Sequence, residues 1–387
     1  MLNKPIPYGR QDISDADIGA VVDVLRSAWI TQGPIVPKFE SVVSAACGTH
    51  FAAALNSATS ALHLSCLSLG VGPGDHVWTT PTTFVASANC ARYCGAEVDF
   101  VDIDPNTWCM SPIRLRDKLE LHRRKKLPLP KVVIPVHLSG QSCDMNAIGE
   151  LKEEYGFKVI EDASHAIGGS YDGKPVGNCR FSEITVFSFH PVKIVTSGEG
   201  GVAVTNDSNL HAKILLNRSH GITRNPSDMH RDPPGEWYYE QIELGFNYRM
   251  TDIQAALGIS QMGRLDQFVQ RRNEIANVYE DRLAQAPVKV QFLPDHVISS
   301  RHLFVVRVPA ARHKKIFSAL REAGIMVNLH YSPVHLQPYY LNLGFGEGDF
   351  PEAESYAQEA ISLPLYPTLS DAQLNFVIKA LMKEILI

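Results

Sequence analysis

The 387-residue sequence has no run of about 18 apolar residues, the length that a membrane-spanning helix requires. It also has no excess of positive charge, because 36 Lys and Arg stand against 41 Asp and Glu, a formal net charge of −5. Neither a nucleic acid nor a membrane is therefore expected as a partner. The segment Met1–Pro7 lacks the apolar core of a signal peptide, so a cytoplasmic location is predicted.

Disulfide and metal signals are also missing. The seven cysteines form no Cys-x-x-Cys pair, and an odd count is typical of a reducing compartment. Cys90 and Cys94 have no histidine at ligand spacing beside them. His330 and His335 are separated by Pro333, with no third ligand nearby. We therefore predict no metal site. The phosphate-binding pattern Gly-x-x-x-x-Gly-Lys-Ser/Thr is absent too, which argues against a P-loop nucleotidase.

The composition, 45% apolar and 20% charged, is that of a globular protein. Short apolar strands alternate with helices of about ten residues, which predicts a parallel α/β sheet. We predict a large domain over residues 1–265, which begins with a helical segment. A smaller C-terminal α+β domain is predicted over residues 266–387.

Three other stretches carry local structural signals. The capping box at Ser14–Asp17 predicts an amphipathic helix that continues through Trp29. The loop Trp29–Gly33 is either a binding loop or a plain interhelical turn. The basic run His122–Lys126 is interpreted as a solvated loop between a helix and a strand.

Several polar or aromatic residues come at, or just after, the ends of predicted strands. They are Asn56, Phe84, His137, Asp162 and Ser188. Ligands of open α/β sheets bind at the carboxyl ends of the strands. The shared placement predicts that these residues surround one site.

Three of these positions also have an ordinary structural interpretation. The segment Asn56–Ser60 is either an anion site at a helix start or an ordinary N-cap. Phe84 either stacks on a flat ring or fills the core. Asp162 needs a buried partner, such as a protonated ring nitrogen, or it caps the next segment. His165 is a candidate second ring contact.

The stretch Thr185–Gly201 contains the candidate catalytic residue. An alternating strand breaks at His190, presents Lys193, and continues through a glycine-rich segment into a second strand. A lysine held in this way can trap a carbonyl group if desolvation or a nearby cation lowers its pKa. The alternative is an ordinary surface lysine in a turn.

Six ordered motifs together resemble the DegT/StrS-type sugar aminotransferases over nearly the whole chain. They are Asn56–Ala61, Thr80–Asn89, Glu161–Gly168, Phe187–Lys193, Gly198–Gly201 and Gly245–Ala256. The resemblance implies an α/β fold, that of the aspartate aminotransferase-like, fold-type I, pyridoxal 5'-phosphate (PLP)-dependent transferases. It further implies PLP as the cofactor and a homodimer with shared active sites.

The resemblance also implies residue roles. Lys193 corresponds to the lysine that binds the cofactor covalently and later moves protons. Asp162 corresponds to the carboxylate on the pyridine nitrogen. The cofactor-binding residues implied are Ser57, Ala58, Thr59, Phe84, Asp162, His165, Ser188 and Asn247. Asn247 resembles a residue that reaches the phosphate from the partner subunit.

His165 stands where the family often has glutamine. Together with the motifs Ser188–Lys193 and Val327–Pro333, the pair Ser164–His165 resembles one branch more closely, the 4-aminotransferases of pseudaminic acid biosynthesis. This similarity implies L-glutamate as amino donor and a UDP-linked 4-keto sugar as acceptor. The substrate contacts implied are Tyr8, Ala28, Trp29, Ile30, Thr31, His330, Tyr331, Ser332 and Pro333. Alternatives are another nucleotide ketosugar, a PLP sugar dehydratase, disfavoured because those relatives replace the lysine with histidine, or a non-catalytic PLP-binding regulator.

Overall fold

The computed structural model describes residues 5–386. Met1–Lys4, which belong to the segment where no signal peptide is expected, lie outside the described residues, as does Ile387. No helix in the described part of the chain is both long and apolar enough to cross a membrane.

The strands are short, and most of those in the central sheet are buried along their length. In chain order they are β1 (Ile6–Pro7), β2 (Phe51–Leu55), β3 (His76–Thr79), β4 (Glu97–Phe100), β5 (Val132–Ile134), β6 (Lys158–Asp162), β7 (Ser170–Tyr171), β8 (Lys174–Pro175), β9 (Ile184–Ser188), β10 (Gly201–Thr205), β11 (Ile222–Thr223), β12 (Glu240–Gln241), β13 (Lys289–Val290), β14 (Val297–Ile298), β15 (Phe304–Arg307), β16 (Ile325–Met326) and β17 (Ala360–Leu363).

Helices connect most of these strands. They are α1 (Asp15–Arg26), α2 (Ile35–Cys47), α3 (Ala58–Ser68), α4 (Ala86–Tyr93), α5 (Pro112–Lys125), α6 (Met145–Tyr155), α7 (Ser208–Arg218), α8 (Asp252–Met262), α9 (Leu265–Leu283), α10 (Ala310–Glu322), α11 (Pro338–Leu341), α12 (Pro351–Glu359) and α13 (Asp371–Leu386). Short 3₁₀ turns lie at Leu138–Gly140, Pro226–Asp228 and Val334–Leu336.

A seven-stranded sheet forms the centre, in the order β2-β10-β9-β6-β5-β3-β4. All neighbouring pairs are parallel except those of β10, which runs antiparallel to both β2 and β9. Crossover helices bury both faces, so the strands consist largely of Val, Ile and Ala. This mainly parallel α/β architecture confirms the fold class predicted from the sequence.

The parallel strands end at one edge of the sheet. Strand β6 ends in Asp162 and β9 ends in Ser188, which pairs with Gly201 at the start of β10. Helix α3 begins three residues after the end of β2. The carboxyl edge therefore collects side chains from positions far apart in the chain.

A second apolar cluster lies in the C-terminal part of the chain, around the antiparallel sheet β13-β15-β17. Its buried members include Tyr279, Phe304 and Leu381. Ile6 also belongs to this cluster, because β1 pairs in parallel with β16. The proposed division between residues 1–265 and 266–387 remains a prediction, and it falls one residue into α9.

Two helix boundaries differ from expectation. The capping box at α1 is confirmed, with Ser14 Oγ accepting from the Asp17 amide and the Asp17 carboxylate accepting from the Ser14 amide. The helix ends at Arg26 rather than Trp29, because the Ser27 hydroxyl bonds the Val24 carbonyl and closes the last turn. The basic run His122–Lys126 is not a loop: its first four residues form the last turn of α5, where they complement the helix dipole.

Candidate active site

A cavity of about 940 Å³ lies at the carboxyl edge of the central sheet. Its walls come from segments that span most of the chain, from residue 8 to residue 331. The site residues expected from sequence that line it are Tyr8, Ser57, Ala58, Thr59, Phe84, Asp162, His165, Ser188, Lys193, His330 and Tyr331. The cavity therefore brings the candidate lysine and the candidate carboxylate together.

The remaining expected residues lie outside the cavity wall. They are Ala28, Trp29, Ile30, Thr31, Asn247, Ser332 and Pro333. Residues 28–31 are exposed, and the Ile30 carbonyl accepts from the Asp252 amide at 3.1 Å. Asn247 is exposed as well. Ser332 is exposed and Pro333 is buried just beyond Tyr331. Their roles stay predictions.

The loop between β9 and β10 carries Lys193. Buried Ile194 and Val195 anchor the loop in the core beside Phe189. The Phe189 carbonyl accepts from the Ser197 amide at 2.9 Å and from the Thr196 hydroxyl at 3.0 Å. The loop is therefore held at both ends, and the lysine side chain is placed against the cavity rather than in solvent.

The environment of Lys193 favours the free amine. Burial lowers the pKa of its ammonium group to about 8, although the charge of Asp162 opposes the shift. Desolvation penalises the charged form, whereas an opposite charge favours it. The carboxylate thus keeps the lysine closer to protonation than burial alone would, and about a tenth of the amine is free at pH 7.

This electrostatic balance predicts a pH dependence in the cofactor-free protein. Acylation of Lys193, followed by mass spectrometry, should reach half its maximal rate near pH 8. Exposed Lys174 serves as the control for acylation of a surface lysine. In the Asp162→Asn variant the midpoint for Lys193 should fall further, since the charge that raises the pKa is gone. A midpoint for Lys193 near about pH 10, the range of an ordinary lysine, would contradict the assignment.

Asp162 is buried at the end of β6 and has a partner on each oxygen. The Ser87 hydroxyl donates to Oδ2 at 2.6 Å, and the Ser164 amide donates to Oδ1 at 3.1 Å. Ser87 is fully buried on α4 and also lies 2.7 Å from the Thr83 hydroxyl. A carboxylate held by two donors keeps a fixed orientation toward the cavity.

Removing the Ser87 hydroxyl should therefore loosen Asp162. In Ser87→Ala we expect kcat to fall by about three- to tenfold, the range expected for one lost hydrogen bond. Ser65→Ala is the matched control, because it also removes a buried helical hydroxyl, which bonds the Ala61 carbonyl away from the cavity. Thermal unfolding and steady-state rates of both variants test this. Equal losses of kcat in the two would assign Ser87 a purely structural role.

The first turn of α3 offers unpaired amides to the cavity. Ser57 caps the helix by accepting from the Ser60 amide at 3.1 Å. In the described chain the amides of Ala58 and Thr59 have no hydrogen-bond acceptor. Free amides at a helix start attract an anion. The N-cap reading and the anion-site reading of this segment are therefore compatible.

Gly201 lets β10 approach this helix start. A Cβ at position 201 would lie 2.4 Å from the amide nitrogen of Ala58 and from the carbonyl carbon of Ser57. Any side chain there would push the strand and the helix apart, so only glycine allows the contact. The same strand pair that holds Ser188 thus sets the position of the free amides.

One residue expected at the site turns away from it. His137 is fully buried, and its Nε2 donates to Glu161 Oε2 at 2.8 Å. Glu161 and Asp162 are neighbours on β6, so their side chains point to opposite faces of the sheet. His137 therefore lies with Glu161 on the face of the sheet opposite Asp162. Its neighbour Val136 lines the cavity instead.

The structure also places residues at the cavity that sequence reasoning missed. They include Glu199, Gln254, His302 and Asn328. His302 lies in the segment after β14, with its ring centroid 4.4 Å from that of His165. Glu199 lies far along the loop after β9, and the other three follow no strand of the central sheet, so the strand-end pattern could not find them.

No three His, Cys, Asp or Glu side chains within residues 5–386 are grouped to hold a metal ion. His335, weighed above as a ligand, is buried and bonds Glu354 at 3.0 Å. His330 lines the cavity, and its Nδ1 lies 2.8 Å from the Ser362 hydroxyl. The two histidines therefore face different surroundings.

The residues at the cavity fit pyridoxal phosphate. The free amides of Ala58 and Thr59 suit its phosphate, and Asp162 suits a protonated ring nitrogen. The ring of Phe84 is 58% exposed although it lies at the cavity, so its face is available for stacking. Lys193 supplies an amine of lowered pKa. When bound, this cofactor supplies an electron sink for the carbon that carries the amino group.

The chain's own residues then have separate tasks. The negative charge of Asp162, whose carboxylate Ser87 orients, would stabilise a proton on the ring nitrogen of the cofactor. The free amine of Lys193 can accept a proton at Nζ and return it, since its pKa lies near the working pH. The arrangement is typical of an enzyme that moves protons and an amino group at a bound carbonyl.

Comparison with known proteins agrees with this site. A profile of the DegT/DnrJ/EryC1/StrS aminotransferase family matches residues 11–382. The spore coat polysaccharide biosynthesis protein SpsC of Bacillus subtilis (strain 168) is 38% identical over 385 residues, covering 98% of this chain and 96% of SpsC.

Two solved structures are similar over the whole chain. Spr1654 of Streptococcus pneumoniae, in its PMP form, has a TM-score of 0.89 and 32% identity, with 98% of each chain covered. It has also been solved in a PLP form. Helicobacter pylori PseC, an aminotransferase of pseudaminic acid biosynthesis, has a TM-score of 0.89 and 30% identity, with 99% of each chain covered.

The fold and the site together define a fold-type I PLP-dependent transferase. The chain belongs to the DegT/DnrJ/EryC1/StrS aminotransferase family. Its cofactor is pyridoxal 5'-phosphate, as expected from the sequence motifs.

Proposed function

We propose that this protein transfers an amino group from L-glutamate to C4 of a UDP-4-keto-6-deoxy-N-acetylhexosamine. The product is UDP-4-amino-4,6-dideoxy-N-acetyl-β-L-altrosamine, an intermediate of pseudaminic acid biosynthesis, and the reaction is that of EC 2.6.1.92. PseC is an aminotransferase involved in pseudaminic acid biosynthesis, and its similarity over 99% of the chain supports the proposal.

The observation that carries the proposal is the position of the expected sugar contacts. Tyr8, His330 and Tyr331 line the same cavity as Lys193, and the rings of Tyr8 and His330 lie 4.8 Å apart. These residues come from both ends of the chain, brought together by the pairing of β1 with β16. A sugar held against them would present its carbonyl carbon to the lysine.

We also propose that the protein works as a homodimer in the cytoplasm, with sites shared between subunits. Asn247 and the loop Ala28–Thr31 are exposed outside the chain's own cavity. In a shared site they would contact the cofactor and substrate of the other subunit. A dimer in solution, measured by sedimentation, and restored activity on mixing Lys193→Ala with Asn247→Ala would support this arrangement, whereas an active monomer would overturn it.

A second substrate is favoured by one comparison. SpsC, a protein of spore coat polysaccharide biosynthesis, is 38% identical, which is higher than the 30% of PseC. This favours a different nucleotide ketosugar as the substrate. The alternatives to the UDP-4-keto sugar are then a dTDP- or GDP-linked ketosugar and amination at C3 or C4. The fold, the cofactor and the role of Lys193 are the same in both proposals.

A panel of substrates separates the two. Purified protein is incubated with L-glutamate and UDP-, dTDP- or GDP-linked 3-keto and 4-keto sugars, and each product is identified by NMR. We expect amination of the UDP-4-keto sugar, with the new amino group at C4 in the altro configuration. Amination of a dTDP- or GDP-linked sugar alone, or at C3, would overturn the first proposal in favour of the second. Bound cofactor without amine transfer to any sugar would instead indicate a regulator.

A further inference from the structure

A chain of hydrogen bonds runs along the cavity wall from the backbone at Ser139 to Tyr331. The Ser139 amide donates to His165 Nδ1 at 3.3 Å. His165 Nε2 lies 3.0 Å from the Tyr331 hydroxyl oxygen. His165 and Tyr331 are 166 positions apart in the sequence, and both line the cavity with Lys193.

The direction of this chain follows from its first member. A backbone amide can only donate, so Nδ1 of His165 has to accept and cannot carry a proton. A neutral imidazole has one proton, which is then on Nε2. Nε2 therefore donates to the hydroxyl oxygen of Tyr331. The fold selects the tautomer of His165 through the backbone of a separate segment.

The surroundings keep His165 neutral. Burial lowers the pKa of its imidazole, and the charge of Lys193 lowers it further. The ring of His302 packs against it, with the ring centroids 4.4 Å apart. A second proton would add a positive charge to this group and would break the bond from the Ser139 amide. The direction of donation is thus stable around neutral pH.

The Tyr331 hydroxyl can then still donate a hydrogen bond. Its oxygen accepts from His165, and among residues 5–386 no acceptor is found for its hydrogen. Burial raises the pKa of Tyr331, and the nearby charge of Asp162 raises it further, so the hydroxyl stays protonated. The ring is held nearly parallel to that of His165, at an interplanar angle of 22°. The acceptor for this hydrogen bond is therefore a molecule bound in the cavity.

We propose that His165 is a positioning residue that holds the Tyr331 hydroxyl as a hydrogen-bond donor to an oxygen atom of the ketosugar. The inference rests on the proposed function, since it needs a sugar oxygen in the cavity. It differs from the ring contact expected for His165 from sequence. In that role the face of the imidazole matters, whereas here its two nitrogen atoms matter.

Two substitutions at position 165 separate these roles. His165→Gln keeps one acceptor, for the Ser139 amide, and one donor, for Tyr331, but loses the aromatic face. His165→Phe keeps an aromatic face and loses both hydrogen bonds. Each half of the reaction is followed in single turnovers through the absorbance of the bound cofactor, first with L-glutamate and then with the ketosugar.

His165→Phe should lower kcat/KM for the ketosugar by about tenfold more than it lowers the rate of the glutamate half-reaction, as expected for one lost hydrogen bond to the sugar. His165→Gln should recover most of this difference, because it restores both hydrogen bonds. Tyr331→Phe should show the same loss, and the double variant should be no worse than either single one. A shared interaction is lost only once.

Three results would overturn the inference. They are a full rate with the ketosugar in His165→Phe, a loss in His165→Gln as large as in His165→Phe, and equal losses in the two half-reactions. Thermal unfolding and the cofactor spectrum of each variant report folding. A direct measurement on the wild type does not depend on variants: ¹⁵N-histidine NMR of the cofactor-free protein should show Nδ1 of His165 unprotonated, and a protonated Nδ1 refutes the chain.

These outcomes are distinct from failure of the proposed function. If the wild type aminates a dTDP- or GDP-linked sugar instead, the UDP substrate is wrong, and the variants are measured with the accepted sugar. If the wild type aminates the UDP sugar and His165→Phe does so equally well, the function stands and the positioning role is wrong.

Discussion

Lys193→Ala is expected to lower amine transfer by about 10⁴-fold or more, because a covalent anchor and a proton-transfer group are lost together. Borohydride should fix the cofactor to the wild-type chain at Lys193 and should fix none to this position in the variant. The physical basis is the loop 189–200, which holds one amine of lowered pKa against Asp162.

The matched control for this substitution is Lys174→Ala, since Lys174 is exposed on β8 and does not line the cavity. It should retain full activity and borohydride labelling. Absorbance of the bound cofactor and peptide mapping after reduction measure both effects. Turnover that persists in Lys193→Ala would refute the catalytic assignment, whichever sugar is the substrate.

Asp162→Asn should have the next largest effect. Asparagine has nearly the same shape and can still accept from Ser87, but it carries no charge to keep a ring nitrogen protonated. We expect kcat to fall by about 10²- to 10³-fold, the loss typical of removing one preorganised charge-stabilising group. The cofactor should still bind covalently, because Lys193 is unchanged.

Asp172→Asn is the control for this charge change. Asp172 is exposed with a backbone φ of 49°, a conformation that asparagine tolerates well. Steady-state kinetics with L-glutamate and the accepted sugar compare the two variants. An Asp162→Asn enzyme with a rate near that of the wild type would show that the carboxylate does not act on the cofactor ring.

Much of the central sheet could be predicted from local patterns. Apolar runs correctly placed Asp162 and Ser188 at the ends of two strands, β6 and β9, since buried parallel strands leave a strong hydrophobic signal. The capping box at Ser14 was also predicted from a local sequence pattern. The end of α1 was missed, because the bond from Ser27 to the Val24 carbonyl competes with an amphipathic pattern that continues to Trp29.

The site was predicted where it depends on strand ends and missed where it depends on contacts across the fold. Lys193, Asp162 and Phe84 carry signals in their own sequence neighbourhood. Ser87 does not, because its partner Asp162 is 75 positions away. His137 was expected at the site, but the alternation of β6 sends its partner Glu161 to the opposite face.

The sequence by itself determined the family, the cofactor and the mainly parallel sheet, because motif order and hydrophobic periodicity are properties of short segments. Only the tertiary structure decided which hydrogen-bond donor in the site meets which acceptor. The bond from Ser87 to Asp162 and the tautomer of His165 depend on atoms that different segments bring within about 3 Å, the distance at which a hydrogen bond forms. No local pattern carries that information, since the partners meet only when the sheet and its crossover helices are packed.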